Sequence, residues 1–109
     1  MRGPEMNTFP NERRGHPRIS WEVTLQIHCH TGDLIQGRTV DVSESGISAI
    51  VPLEMIVGQA VELRFELLER ISVHAVVKNK RAFRYGFEFV LGHSERESIR
   101  RGCTALAFE

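Results

Sequence analysis

Several things are scarce in this 109-residue chain, and each scarcity excludes something. No apolar run approaches the roughly 18 residues that a membrane-spanning helix needs, and the first residues hold no apolar signal-peptide core. The expectation is therefore a cytoplasmic protein without a membrane span. Net charge is also missing: 14 Lys and Arg balance 14 Asp and Glu. The chain is no polycation that would hold nucleic acid or anionic membrane broadly, so any anion site must be local. Cysteine is limited to Cys29 and Cys103, far apart and without a C-x-x-C pair, which argues against structural zinc. Spacing alone leaves a disulfide open; two buried thiols in a reducing compartment are the simpler reading. There is no internal repeat and no low-complexity segment. The length suits one domain with one core.

What is present is alternation. Residues 1–12 are rich in Gly, Pro and Asn and read as a flexible tail. Arg13 to Arg18 continue it, and Pro17 biases His16 away from helix, so this segment is predicted to be extended. Trp21, Val23, Leu25, Ile27 and Cys29 then alternate with polar residues, which is the period of a half-buried strand. Further strands are predicted at about 34–42, 47–51, 61–67, 71–77 and 83–91, the last strongly aromatic. Six short strands at regular spacing predict a mainly β fold, a six-stranded antiparallel barrel over residues 20–91. The period changes afterwards. Ser94 to Glu97 read as a capping box, and Ile99, Cys103 and Leu106 follow at helical spacing, predicting a helix over 94–106 packed on the barrel.

Two motifs carry the chemistry. Arg14-Gly15-His16-Pro17-Arg18 is an R-x-x-x-R preceded by Arg13, and Asp41-Val42-Ser43-Glu44-Ser45-Gly46 is a D-x-S-x-x-G. Arginine forks match the N7 and O6 acceptors of guanine, or a phosphate. A carboxylate accepts from the N1–H and N2–H of the opposite guanine edge. The pair thus forms a kit for a guanine-bearing phosphate ligand. Each half alone is ambiguous. A second R-x-x-x-R, Arg96 to Arg100, falls on the predicted helix beside Glu95 and Glu97 and reads as a solvated face. Asp, Ser and Gly are also what ordinary turns use. His28 and His30 lie two apart on one strand face without a third ligand, so no metal site is expected. Ser43 and Ser45 lack a G-x-S-x-G setting, and no set of catalytic residues stands out, so the chain is not expected to be an enzyme. Lys78, Lys80, Arg81 and Arg84 form a second basic group, read either as a solvated hairpin or as the far rim of the ligand site.

Taken jointly, R-x-x-x-R before the first strand, D-x-S-x-x-G after the second, Tyr85-Gly86-Phe87-Glu88-Phe89 and a terminal helix resemble the PilZ domain, a bacterial receptor module for cyclic di-GMP. The resemblance spans about residues 12–107 and includes both motifs without a substitution. One departure is Lys78, where many members carry tryptophan.

The resemblance implies a single domain over residues 13–109, a split barrel over 20–91 with the arginine segment 13–18 as a switch at its mouth. It implies that Arg13, Arg14 and Arg18 grip guanine or phosphate, that Asp41 reads a guanine edge, that Ser43 donates to phosphate or base, and that Gly46 allows close backbone approach. Arginine stacking is worth about 0.5–2 kcal/mol and a bidentate guanine contact about 1–3 kcal/mol. His16, Ser45, Lys78 and Arg81 are possible rim residues. Arg13 ahead of the motif resembles members that take an intercalated ligand dimer, which implies two cyclic di-GMP per chain. No other cofactor is expected, and the chain is expected to be a monomer that passes its signal to a protein partner. The rival readings are a PilZ-like adaptor that binds no nucleotide and a small barrel for single-stranded nucleic acid. Against the second, the aromatics fall on the core face and net charge is zero.

Overall fold

The computed structural model describes residues 17–107. In chain order the strands are β1 (Ile19–Ser20), β2 (Thr24–Cys29), β3 (Leu34–Val42), β4 (Gly46–Ile50), β5 (Ala60–Glu66), β6 (Arg70–Arg81) and β7 (Arg84–Val90), followed by helix α1 (His93–Ala107). All pairings are antiparallel. The order is β1-β3-β2-β5-β6-β7-β4, and β4 pairs back onto β3, so six strands close on themselves. The short β1 rides on the far end of β3. This is the mainly β, six-stranded barrel with a C-terminal helix that the alternation predicted. Closure removes the exposed sheet edges that would otherwise template aggregation.

Inward positions follow the predicted period. Leu25 and Ile27, Val61, Leu63 and Phe65, Ile71, Val73, Ala75 and Val77, and Tyr85, Phe87 and Phe89 are all buried. The first strand differs from its prediction at the start. Trp21 to Val23 leave the regular ladder, and Thr39 replaces it: its hydroxyl donates to the Trp21 carbonyl at 2.6 Å and accepts from the Val23 N–H at 2.8 Å. Thr39 is only 2% exposed, so these bonds satisfy groups that water cannot reach.

Two β-bulges break the period where it matters. One lies between Thr39 and Asp41 in the β3–β4 pairing. Gly37 and Thr39 are buried, and strict alternation would turn Asp41 into the core. The extra residue, Val40, shifts the phase, so Val42 is buried and Asp41 faces outward opposite Ser48. The other bulge lies between Val77 and Asn79 in the β6–β7 pairing. It carries β6 on to Arg81, four residues beyond the predicted end. Ala82, at φ 54°, and Phe83 form the two-residue turn, so Phe83 is half exposed rather than part of the aromatic strand.

Helix α1 lies against β6 and β1. Ile99 and Cys103 reach the core, beside the stack of Phe65 on Phe89 (6.1 Å between centroids) and the edge contact of Trp21 with Phe65 (5.8 Å). Its capping differs from the sequence reading. The Gly92 N–H donates to Glu95 Oε1 at 2.6 Å, and the Arg96 N–H donates to the Gly92 carbonyl. Gly92 therefore occupies the N-cap and Glu95 the third helical position, so the box starts two residues before Ser94. Glu97 instead accepts from Arg100 at 2.7 Å, which leaves Arg96–Arg100 the solvated face its spacing suggested.

Candidate functional site: a cationic cavity on the barrel wall

Outward side chains of β3, β4, β7 and β6 lie side by side because paired residues share a face. Asp41 faces Ser48, Ser48 faces Gly86, and Gly86 faces Asn79. Gly46 lies one step along β4, opposite Glu88. These residues are small, so the wall sinks into a cavity of about 520 Å³. That is within the range of small-molecule sites, about 300–1,000 Å³. Five cations line it, Arg18, Lys78, Lys80, Arg81 and Arg84, against two carboxylates, Asp41 and Glu88. The chain as a whole is neutral, so the excess positive charge is local.

Arg18 and Asp41, 23 residues apart, meet at the rim. Arg18 Nε donates to Asp41 Oδ1 at 2.8 Å, and its Nη2 donates to Ser48 Oγ at 3.2 Å. Arg84 approaches the other carboxylate oxygen at 3.4 Å. Asp41 is 18% exposed, Arg18 35% and Arg84 53%. The carboxylate is thus held firmly while the arginines stay wet, and the pairs contribute little to stability for that reason. Their consequence is positional: the carboxylate is fixed at the cavity edge.

Ser43 is placed elsewhere than its motif suggested. It is fully buried. Its hydroxyl accepts from the N–H groups of Ser45 and Gly46 at 3.2 Å each, and its own N–H donates to the Gly46 carbonyl at 2.8 Å. It staples the turn between β3 and β4 and does not line the cavity. Ser45, its neighbour at 3.2 Å, does. Gly46 also lines it, and a Cβ there would lie 2.3 Å from the Phe87 carbonyl oxygen. The close approach that this glycine allows is between strands β4 and β7.

Of the other rim candidates, Lys78 and Arg81 line the cavity. Lys78 lies 3.5 Å from Glu88. Arg13, Arg14 and His16 lie outside the described residues. Sequence reasoning did not single out Ser48, Asn79 and Gly86 as site residues, and it raised Lys80 and Arg84 only as part of a basic group that could form the far rim. Lys80 and Arg84 had a signal in the basic hairpin group, whereas Ser48 and Asn79 become neighbours only through the pairing. Lys80 pairs with Glu54 and sits 5.9 Å from the Tyr85 ring centroid. That hydrogen bond to Glu54 is the main cause holding the lysine above its usual pKa. Among the described residues no His, Cys, Asp and Glu cluster could hold a metal ion, and no helix is long and apolar enough to cross a membrane.

A closed six-stranded barrel with a terminal helix and a cationic cavity set into its outer wall defines a small β-barrel domain with a local excess of positive charge. The chain belongs to the PilZ domain family, whose model matches residues 12–105. Solved structures share the fold. The PilZ domain of CeSA from a cellulose-synthesizing bacterium is 20% identical, over 84% of this chain and 98% of that one, with a TM-score of 0.70. The Bacillus subtilis inhibitor of motility MotI/DgrA is 18% identical (88% and 52%, TM-score 0.72). Escherichia coli YcgR, solved in complex with c-di-GMP, is 20% identical (88% and 46%, TM-score 0.73). This chain therefore spans about half of the latter two proteins. No curated protein sequence matches the chain.

Proposed function

We propose that this PilZ domain is a cyclic di-GMP receptor, a binding module and not an enzyme, and that ligand closes the part of the arginine segment ahead of Arg18, which already meets the wall, onto the barrel. The observation that carries this reading is the meeting of Arg18 with Asp41 at the rim of the cationic cavity. The family and the nucleotide-bound YcgR neighbour support it. Asp41 already has both oxygens engaged. The longer, more exposed Arg84 contact is the one a guanine N1–H and N2–H edge would replace. Arg84, thereby freed, faces a cavity where Lys78 and Arg81 can neutralise phosphate.

Ordering the arginine segment costs roughly 1–2 kcal/mol per residue of backbone entropy, which charge-assisted contacts from Arg13, Arg14 and Arg18 offset. Two ligands per chain fit Arg13 and the open, cation-lined cavity. Ser45 and His16 complete the rim in this reading, and the closed surface is offered to a protein partner by a cytoplasmic monomer.

The test is calorimetric titration with cyclic di-GMP, GTP and a short oligonucleotide, repeated on Arg18→Ala and Asp41→Ala. Selective binding of cyclic di-GMP, with two per chain and loss in both variants, is expected. Binding of the oligonucleotide as tightly as the dinucleotide, or no dinucleotide binding at all, sinks the reading. A stoichiometry of one removes only the dimer. Amide exchange over residues 8–18 should slow with ligand; unchanged exchange removes the closing segment.

A further inference from the structure

The apolar side chains left in solvent are not evenly spread. Ile50, Leu53, Ile56, Val57 and Phe83 gather at one end of the barrel, with Ile56 75%, Val57 54%, Leu53 53% and Phe83 50% exposed. Ile50 ends β4, and the other four sit on two tips, the loop of residues 51–59 and the Ala82-Phe83 turn. Scattered single apolar residues are ordinary on a surface, but a cluster of this kind marks a contact site.

The two tips are tied together. The Val51 N–H donates to the Phe83 carbonyl at 2.9 Å. The buried Tyr85 hydroxyl donates to the Leu53 carbonyl and accepts from the Met55 N–H, both at 2.9 Å. The Gly58 N–H donates to the Val77 carbonyl at 2.7 Å, and Lys80 pairs with Glu54. The loop backbone is thus bolted to β6 and β7, and its apolar side chains are held outward.

Cations fringe the tips. Arg81 and Arg84 flank the turn that carries Phe83, and Lys78 lies one strand position from Val77, which anchors the loop. Of the three acids nearby, Glu54 is paired to Lys80, Glu88 lies 3.5 Å from Lys78 and Asp41 lies 3.4 Å from Arg84, whereas Arg81 has no ion pair among the described residues.

We propose that this end of the barrel docks on the surface of an anionic lipid bilayer, with Leu53, Ile56, Val57 and Phe83 entering the headgroup layer and Lys78, Arg81 and Arg84 facing lipid phosphates. Two features favour a bilayer over a protein. The apolar side chains stand on turn tips, and none of the four lines the neighbouring cavity. They are also mostly aliphatic, whereas anchors of protein interfaces are enriched in Trp, Tyr and Arg and poor in Leu and Val. Apolar tips ringed by basic residues suit an interface that is apolar below and negative above. Lys78, Arg81 and Arg84 also line the cavity, so bilayer and nucleotide would share these cations, but the test uses no nucleotide and its failure is therefore separate from failure of the nucleotide reading.

The test is flotation of the full chain with vesicles of phosphatidylcholine alone or with about 30% phosphatidylserine. Wild type, Ile56→Asp and Phe83→Ser are compared, each with a thermal melt as the folding control. About a tenfold or greater preference for the anionic vesicles is expected, weakened by salt and lost in both variants at unchanged melting temperature. Absence of binding to the anionic vesicles overturns the proposal and leaves the patch to a protein partner. Binding that both apolar variants retain overturns it too, since charge alone would then account for the attachment. If a variant melts early, Ile56→Ser, at the most exposed of these positions, gives the same reading.

Discussion

Single residues set the geometry of the cavity, and some do so by breaking the local pattern. Val40 is the clearest case: as the extra residue of a bulge it turns Asp41 out of the core and toward Arg18. Asp41→Asn keeps the shape and removes the charge. Cyclic di-GMP affinity should fall by about 1–3 kcal/mol, roughly 5- to 150-fold, with the melting temperature nearly unchanged because the ion pairs are screened. Titration and a melt check the two halves separately. Ser43→Ala should do the reverse. It strips the buried partner from the Ser45 and Gly46 N–H groups, at a cost of about 1–3 kcal/mol. Urea unfolding should register that loss, while affinity in the folded protein stays within about threefold, since this hydroxyl does not reach the cavity. A large affinity loss at unchanged stability would return Ser43 to the role of a ligand donor. The motif letters named this serine but could not say which job it has, because a turn staple and a phosphate donor use the same hydroxyl.

Strands and helix were legible in the sequence to different depths. The strands followed from alternation because one face of each meets the core, as in Leu25-Gln26-Ile27 or Phe87-Glu88-Phe89. The bulges were not legible: an extra residue such as Val40 or Lys78 looks like any other until its partner strand is known. The cavity floor was hidden for the same reason, since Ser48, Gly86 and Asn79 are brought together by pairing alone. In the helix, Gly92 is the N-cap although Ser94, two residues on, carries the commoner N-cap signature.

Gly102, in the same helix, reads as a weak point, yet a Cβ there would lie 2.3 Å from Leu67 Cγ. Gly102→Ala, stabilising by about 1 kcal/mol in a free helix, should instead destabilise this protein by about 1–3 kcal/mol through overpacking, as chemical denaturation would measure. One position on, Cys103 is 5% exposed, and burial, with a smaller effect of the Glu44 carboxylate, pushes its thiol up to about 11 from 9.0. The folded state then holds a proton that the unfolded state gives up between those values. Its stabilising effect is complete below pH 9 and is lost as pH rises toward 11, by roughly 2–3 kcal/mol. Stability–pH curves of wild type and Cys103→Ala should converge or cross over that interval; parallel curves would show that the thiol is not desolvated.

At the scale of the whole molecule, the cavity spans the part of the barrel where the sheet closes. Its lining comes from β3, β4, β7 and β6, and the β3–β4 and β4–β7 pairings complete the ring. Those pairings bring together residues as distant as Gly46 and Glu88, contacts of the kind that fold late because loop entropy must first be overcome. A ligand gripping Asp41 on β3 and Arg84 on β7 would tie across β4 and resist the opening of that seam. Binding to the folded state alone adds about 2.7 kcal/mol at a ligand concentration a hundred times the dissociation constant. For a domain near 100 residues that corresponds to a rise in melting temperature of about 10–20 °C. Thermal melts with increasing cyclic di-GMP should show that rise in the wild type and its absence in Asp41→Ala, with GTP giving little in either. Hydrogen exchange places the effect: amides of β4 and its partners on β3 and β7 should slow more than those of β5 and the residues 70–76 of β6 paired with it, none of which lines the cavity. Uniform slowing would mean stabilisation by mass action alone, with no added grip on the seam.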